Sequence, residues 1–333
     1  MERAIKQCFG VDISKHDFTV TLAISHLDKS VSFSQSACFE NTTKGFNQFL
    51  KWGKKLVNPN TPTCYLMEAT GIYYEPLAYH LAKIHKQVSV ILPNKVKHYA
   101  KSLNIKSKTD LIDSKVIAQL GVERSHSMWK PPSPVFKELR ELTRLYVDLK
   151  HERTVFSNRI ESVESGHQPN KFIVRTNSGL IKVIDKQILK CETEIKKVIE
   201  KECWLQEKVN KMLTINGLGL TTIAIVLAET QGFALIRNRK QLASYAGYDV
   251  VQRESGISIK GKTRISKKGN SRIRAALHFP AMVASRYNPT LKEDYQRIIK
   301  NKTSKMIGIT ALQRKLLLLT YTLWKNDTCF DQE

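Results

Sequence analysis

Hydrophobic residues in the first third of the chain form short continuous runs and longer segments with helical spacing. The short runs predict β-strands, and the spaced segments predict α-helices. In chain order these are strands at 5–13, 18–24 and 31–39, a helix at 44–56, a strand at 63–67, a helix ending near 85, a strand at 88–92, and helices at 94–102 and 110–120. Three consecutive strands followed by strands that alternate with helices predict a mixed sheet covered by helices.

This order of elements matches an α/β ribonuclease H-like fold, and we assign it to a first domain spanning 1–130. The proline-rich segment 128–134 marks the boundary. Leucine and isoleucine residues at helical spacing across 131–208 predict two long helices, interpreted as a coiled-coil hairpin with breaks near 165–170 and 177–179. This helical middle is the predicted dimerisation region. Residues 209–333 predict a second compact domain, mainly α-helical, with a basic loop in its middle.

The chain carries 54 Lys and Arg residues against 30 Asp and Glu residues, a formal net charge of +24. This excess predicts a polyanionic partner, with nucleic acid as the first candidate and an anionic membrane surface as the second. No apolar run reaches the roughly 20 residues that span a bilayer, and no secretory signal is expected. The six cysteines are scattered without a Cys-x-x-Cys pair. We therefore expect a reduced, cytoplasmic protein without a disulfide framework or a zinc site.

Four carboxylates in the first domain are hard to explain by folding alone. Asp12 lies inside an apolar run, and Glu68 ends another. A buried ionised carboxylate costs on the order of several kcal/mol unless it is paired or binds a metal. Asp110 and Asp113, three residues apart on a predicted helix with Thr109 as N-cap, project from one face. Alone, that pair could be a helix N-terminal acid and a surface acid. Together the four acids predict a site for two Mg²⁺ ions that assist phosphoryl transfer.

The second domain contains two candidate phosphate-binding segments. The sequence Ile-Asn-Gly-Leu-Gly at 215–219 has the pattern of a helix-hairpin-helix, whose glycines allow backbone N–H groups to meet a phosphate; a plain turn would look the same. Between 253 and 274, eight Lys or Arg residues stand against one acid. This loop predicts phosphate binding, with a solvated basic loop as the alternative. A serine of the loop is a candidate nucleophile, and composition does not choose which one.

Together these motifs resemble those of the DEDD-type insertion-sequence transposases. That family includes the Piv-type DNA invertases and the bridge-RNA-guided recombinases. The resemblance covers nearly the whole chain and rests on Gly-Val-Asp-Ile-Ser-Lys at 10–15, Met-Glu-Ala-Thr-Gly at 67–71, Lys-Thr-Asp-Leu-Ile-Asp-Ser-Lys at 108–115, the segment 215–219, Tyr-Ala-Gly at 245–247, Ser-Gly at 255–256, Ile-Ser-Lys-Lys-Gly-Asn at 265–270 and Arg-Ile-Arg at 272–274.

The resemblance implies a RuvC-like catalytic domain at 1–130 and a transposase domain with a serine nucleophile at 209–333. It implies that Asp12, Glu68, Asp110 and Asp113 are catalytic metal ligands. The nucleophile is placed at Ser255, because Ser255 and Gly256 meet the family's Ser-Gly pattern, with Ser266 as the alternative. Because the acids and the serine lie in different domains, an active site composed from two subunits is expected.

The function implied is DNA transposition by an insertion-sequence transposase through a covalent phosphoserine. The expected partners are donor and target DNA, a structured guide (bridge) RNA and further copies of the chain, as a dimer or tetramer in the prokaryotic cytoplasm, acting at the nucleoid. The residues predicted to bind nucleic acid are Lys108, Gly217, Gly219, Arg253, Lys260, Lys262, Arg264, Lys267, Lys268, Arg272 and Arg274. The alternatives are a RuvC-like endonuclease or junction resolvase that uses water, and a non-catalytic nucleic-acid-binding protein.

Overall fold

The computed structural model describes residues 4–252, 254–255, 259–261, 263–302 and 304–330. The chain forms two compact units, Met1–Pro131 and Pro132–Glu333. Each unit has its own hydrophobic core. The finer division into three regions, at 130 and 208, stays a prediction.

The first unit is built on one mixed sheet. Its strands are β1 (Ala4–Ile13), β2 (Asp17–His26), β3 (Val31–Phe33), β4 (Ala37–Glu40), β5 (Thr63–Glu68) and β6 (Gln87–Ile91). The strand order is β3-β2-β1-β5-β6, and β4 also pairs with β2. β2 is antiparallel to β1, β3 and β4, whereas β5 is parallel to both β1 and β6. The mixed sheet predicted from the sequence is therefore present.

Four helices cover the sheet. They are α1 (Thr43–Lys54), α2 (Glu75–Lys83), α3 (Pro93–Ser102) and α4 (Asp110–Glu123). Successive side chains of a strand point to opposite faces of the sheet. Phe9 and Val11 of β1 pack in a core with residues of α1 and α2. Cys8 packs in a separate core with residues of α3 and α4. The central strand β1 is consequently buried on both faces.

The strand predicted at 31–39 is two strands. β3 and β4 pair with different parts of β2 and leave 34–36 between them. At this point the Ser34 hydroxyl accepts a hydrogen bond from the backbone N–H of Leu22 at 3.1 Å. A side-chain oxygen thus takes a place that a backbone carbonyl of a continuous strand would occupy.

The second unit is mainly helical, as predicted. Its helices are α5 (Pro134–Glu164), α6 (Lys171–Glu200), α7 (Cys203–Leu213), α8 (Leu220–Thr230), α9 (Arg239–Tyr245), α10 (Ser271–Ala276), α11 (His278–Tyr287), α12 (Pro289–Ile299) and α13 (Lys305–Asn326). Short strands β7 (Val250–Val251), β8 (Glu254–Ser255), β9 (Ile259–Lys260) and β10 (Arg264–Ile265) lie between α9 and α10. No helix of the described ranges has both the length and the apolar character needed to cross a bilayer.

The long helices α5 and α6 pack along each other, and Arg153 bonds Asp185 across them at 2.6 Å. The break predicted near 177–179 is wrong, because α6 is continuous through it. The Asn177 amide donates to the Ile173 carbonyl at 2.8 Å, so its polar side chain is satisfied inside the helix. Gly179 is helical as well, because the surrounding helix outweighs the low helix propensity of a single glycine.

Candidate active site

Asp12 lies near the carboxyl end of β1, half-buried, on the sheet face that α4 covers. Gly10, two residues earlier, lies on the same face. A Cβ atom at Gly10 would stand 2.1 Å from the Ala118 nitrogen and 2.3 Å from the Ser114 carbonyl oxygen. Only glycine therefore allows the backbone of α4 to lie directly on β1. The glycine of the Gly-Val-Asp motif thus sets the distance between the strand and the helix that carry the acids.

Two further contacts give the direction of α4 over the strand. A Cβ atom at Gly121 would stand 2.2 Å from the Cys8 sulfur. The Ser114 hydroxyl shares a 2.8 Å hydrogen bond with the Thr21 hydroxyl on β2. The helix thus crosses β1 at Cys8 with its later residues and at Gly10 with its earlier ones. Its first turn, which carries Asp110 and Asp113, continues toward Asp12.

Glu68 reaches the same end of the sheet from β5. The parallel register pairs Cys8 with Cys64 and Val11 with Met67, so Asp12 and Glu68 follow on adjacent strands. Thr70 lies within 3.5 Å of Glu68, hydroxyl to carboxylate oxygen. Asp12 and Glu68 therefore lie side by side at this end of the sheet.

The pKa values of these carboxylates are shifted by burial and by one another. Burial, the larger cause, together with the negative charges of Asp113, Asp110 and Glu68 raises the pKa of Asp12 to about 6. Burial also raises the pKa of Glu68 and of Asp113, and the ammonium of Lys108 partly opposes both shifts. Such upward shifts are expected where acids share a site without a counter-charge. The four predicted acids therefore form one electrostatic group.

The two acids of α4 have different surroundings. Thr109 caps the helix as predicted, its hydroxyl accepting from the Ile112 N–H at 3.3 Å. Asp110 is exposed in the first turn, where a negative charge favours the helix by itself. The Asp113 side chain is only 21% exposed, and its salt-bridge partner Lys108 is 4.0 Å away and 88% exposed. Asp113 is thus more than a solvated surface acid, and its ion pair is weak.

Carboxylate oxygens are the hard ligands that Mg²⁺ prefers. Among the described residues, the ion pairs of this group are limited to the contact of Lys108 with Asp113. Within the same part of the chain, no three His, Cys, Asp or Glu side chains stand close enough to hold an ion as they are placed. The carboxylate oxygens of these acids are suitable ligands for Mg²⁺, and their side chains would have to move closer together to bind an ion.

The basic loop of the second unit is a pair of short β-ribbons. β7 pairs with β10, and β8 pairs with β9 so that Ser255 stands opposite Ile259. Of Ser255 and Lys260 the structure describes the backbone alone. The predicted site residues Arg253 and Lys262, and Gly256 of the Ser-Gly motif, lie outside the described residues. Ser255 thus lies on the short strand β8, which is paired with β9.

The described cations of this loop divide into two groups. Arg264, Lys267 and Lys268 are exposed. Arg272 and Arg274 are half-buried, and Arg274 donates to the Ala246 carbonyl at 2.7 Å. The first group has its charge in water, where a phosphate can reach it. Arg274 also stabilises the loop through its hydrogen bond to the Ala246 carbonyl.

The predicted hairpin at 215–219 is a turn between α7 and α8. Gly217 has φ +101°, a conformation that favours glycine, and a Cβ atom there would stand 3.2 Å from the Pro280 carbonyl oxygen. Gly219 is the N-cap of α8 and has open space beside it. The turn accordingly leaves the start of α8 open beside Gly219, and phosphate binding there stays a prediction.

Ser266, the alternative nucleophile, is tied into a turn. Its hydroxyl donates to the Asp249 carboxylate at 2.6 Å and accepts from the Lys268 N–H at 3.2 Å. Its own N–H donates to the Asp249 carbonyl at 2.7 Å. These bonds fix the turn between β10 and α10, which is a structural role for Ser266.

Sequence reasoning missed Glu229, a buried acid at the end of α8. Arg144 of α5 bonds both of its carboxylate oxygens, at 2.8 and 3.1 Å, and the Asn270 amide bonds one of them at 2.7 Å. Asn270 also caps α10 by accepting from two backbone N–H groups. Burial raises the pKa of Glu229, but the bonds from Arg144 and Asn270 outweigh it and the pKa is lowered. Glu229 thus anchors the end of the basic loop. The signal was an acid closing an apolar run, as for Glu68.

Two family models match the chain. One, described as a transposase of the DEDD type of IS110, covers residues 9–169, and the other, the transposase IS116/IS110/IS902 family, covers residues 209–296. The chain is also 31% identical over 340 residues to the pilin gene-inverting protein of Moraxella bovis, with 98% of each chain covered. The chain belongs to the IS110 family of transposases. As a member of this family it is a DNA transposase or recombinase, as the motifs predicted.

The corresponding protein of Moraxella lacunata gives the same identity and coverage. Among solved structures, a Ppx/GppA family member from Aquifex aeolicus covers 97% of the chain and 92% of its own at 11% identity. Its TM-score of 0.23 is too low to indicate a shared fold. The family membership of this transposase therefore rests on sequence similarity along its whole length.

Proposed function

We propose that this transposase cuts and rejoins DNA through a covalent phosphoserine formed by Ser255, with Asp12, Glu68, Asp110 and Asp113 as ligands of two Mg²⁺ ions. The observation that carries the proposal is the grouping of the four acids at one end of the sheet, where burial raises the pKa of Asp12, Glu68 and Asp113. The topology of the sheet, with the antiparallel strands β1 to β4 followed in the chain by the parallel strands β5 and β6, supports a ribonuclease H-like catalytic unit. DNA supplies the scissile phosphodiester.

The proposed reaction has two transesterification steps. The Ser255 hydroxyl loses its proton and its oxygen bonds to phosphorus, while the bond from phosphorus to one deoxyribose oxygen breaks and that oxygen takes up a proton. A hydroxyl of a second strand then attacks the phosphoserine, which rejoins DNA and restores the serine. The ions, when bound, would neutralise charge on the phosphate and favour the ionised hydroxyl. Exposed cations such as Arg264 and Lys267 would hold the flanking phosphates.

A nicked DNA substrate tests the serine. Cleavage next to the nick releases the short end, so the phosphoserine cannot be reversed and a covalent protein–DNA adduct accumulates. We expect the adduct with the wild type and with Ser266→Ala, and none with Ser255→Ala or Asp12→Ala. Retention of the adduct in Ser255→Ala with loss in Ser266→Ala would move the nucleophile to Ser266.

The same substrate separates the rival activities. A nuclease of the resolvase type would cut the DNA with Mg²⁺ and leave a protein-free end, because water is then the nucleophile. Normal cutting by Ser255→Ala would contradict the phosphoserine. A substrate left intact by the wild type in the presence of Mg²⁺ would favour a binding protein without catalysis.

We also propose that the active assembly is a dimer or tetramer that carries a structured RNA. Ile173, Leu180 and Val183 of α6 are large apolar residues exposed at heptad-like spacing, which is typical of a helix that pairs with another chain. The net charge of +24 supports binding of a second polyanion such as RNA beside the DNA. Recombination by the purified protein without RNA transcribed from the flanks of its gene would contradict the RNA part.

A further inference from the structure

A cavity of about 500 Å³ lies in the second unit, lined by residues in and beside the β7–β10 ribbon, by Lys302 after α12 and by the first half of α13. Tyr248 and Ile265 line it on the ribbon side, and Met306, Ile307 and Ala311 line it on the side of α13. This volume is within the range of pockets that enclose small organic groups, roughly 300–1,000 Å³. We propose that it binds one unstacked nucleotide of a single-stranded nucleic acid. The inference rests on the proposed function only in taking nucleic acid as the partner.

The charges around the cavity are all positive. Arg264, Lys302 and Arg314 line it, and no Asp or Glu does so among the described residues. In that part of the chain none of the three has a carboxylate partner within ion-pair distance. Outside the cavity, Lys315 and Arg297 both pair with Asp294. The three cations that line the cavity thus have their charge available to a phosphate.

The walls of the cavity are apolar although they face water. Met306, Ile307 and Val250 are 52, 46 and 56% exposed. Exposed apolar surface with a polar rim typically marks a binding site. A nucleotide matches both features, because the faces of its base pack on apolar walls and its phosphates meet the cations. Unstacking a base from a double helix costs about a few kcal/mol, so a single strand supplies such a base more readily.

Fluorescence anisotropy with the full-length protein tests the proposal. The probes are labelled oligothymidylate, oligouridylate and a DNA duplex of the same length, titrated at several salt concentrations. The first variant, Met306→Ala with Ile307→Ala, removes wall atoms without changing charge. We expect single-strand affinity to fall roughly tenfold, with an unchanged salt dependence and duplex binding within about twofold. The two single strands report whether the occupant is DNA or RNA.

The second variant, Arg314→Gln, removes a cation of the cavity. Its single-strand affinity is expected to fall as well, and the slope of log Kd against log salt is expected to drop by about one. Lys292→Gln is the matched control, because Lys292 is exposed on α12 and does not line the cavity. The control should change neither quantity. Thermal melting of each variant should match the wild type, since the changed side chains are exposed.

Either of two results would overturn the proposal. Single-strand affinity of the wall variant within twofold of wild type would leave the apolar surface to another occupant, such as a protein segment. An equal loss for duplex and single strand would indicate a general basic surface. Binding is measured without cleavage, so the outcome is independent of the adduct experiment. Loss of the adduct in the wild type with this binding intact would contradict the proposed chemistry alone.

Discussion

Each of the two compact units holds a carboxylate that is at least half-buried, and the surroundings of the two are opposite. In the first unit, burial and the neighbouring acids raise the pKa of Asp12 to about 6. In the second unit, Glu229 is bonded by Arg144 and Asn270, and its pKa is lowered despite burial. Both acids interrupt or end an apolar run, so they look alike in the sequence. The direction of the pKa shift separates a half-buried acid among like charges from a buried acid that is paired with a cation.

The comparison also separates two ways of positioning charge. The acids of the first unit depend on a close approach of α4 to β1 at Gly10. The exposed cations of the second unit lie on a loop that the buried Glu229 anchors at its end, through the Asn270 amide. A rigid strand and helix suit ligands that must converge within a few ångströms. A loop suits cations that meet a flexible polyanion.

The largest expected effect follows from Gly10→Ala. A methyl group at Gly10 would collide with the backbone of α4, so the helix has to move away from β1. We expect a loss of about 3 kcal/mol or more in unfolding free energy, measured by urea denaturation, together with loss of DNA cleavage. Gly179→Ala is the control, because nothing lies within 4 Å of that position in α6. It should gain about 0.5–1 kcal/mol. A Gly10→Ala protein as stable as the wild type would contradict the close packing.

Glu229→Gln should destabilise the protein by about 2–3 kcal/mol, because it removes the buried negative charge that Arg144 bonds through both carboxylate oxygens. The measurement is urea denaturation at pH 7. The deficit should shrink as the pH falls below the ordinary glutamate value of 4.5, because a group with a lowered folded pKa loses its stabilising effect there.

The control for Glu229→Gln is Glu194→Gln, which breaks the exposed pair with Lys197. This change is expected to cost no more than about 0.5 kcal/mol. Equal losses in the two variants would show that Glu229 is not an anchor.

Asp12→Asn should change the unfolding free energy in the opposite direction from Gly10→Ala and Glu229→Gln, and by the smallest amount of the three. It removes a repelled charge and is expected to stabilise the metal-free protein at pH 7 by about 1 kcal/mol, since water screens part of the repulsion. The folded pKa is raised, so protonation favours the native state below pH 3.8 and this benefit is lost as the pH rises through about 6. The difference between variant and wild type should therefore open between pH 4 and 6. Addition of Mg²⁺ should close it.

A wild-type protein that is more stable than Asp12→Asn at pH 7 without metal would contradict the repulsion. Glu40→Gln is a useful control, because Glu40 lies on β4 with its side chain exposed. That variant should show no change across the same pH range.

Several features could be predicted from the sequence. The apolar runs located β1, β2, β5 and β6 to within about two residues, because each strand is buried enough to require continuous hydrophobic positions. The cap at Thr109 was predicted from local chemistry. Two predictions failed at polar residues. The strand predicted at 31–39 is interrupted where Ser34 bonds Leu22, and α6 continues through Asn177, whose amide bonds Ile173. Neither partner is visible from composition or spacing.

The sequence by itself determined which residues are acids in apolar surroundings, where the basic loop lies and to which family the chain belongs. It could not separate Glu229 from Asp12, because the atoms that surround each carboxylate come from segments distant along the chain. Only the tertiary structure brought Arg144 to Glu229 and placed Asp113 near Asp12. The charged state of a carboxylate depends on burial and on neighbouring charges, and both of these arise only when the chain has folded.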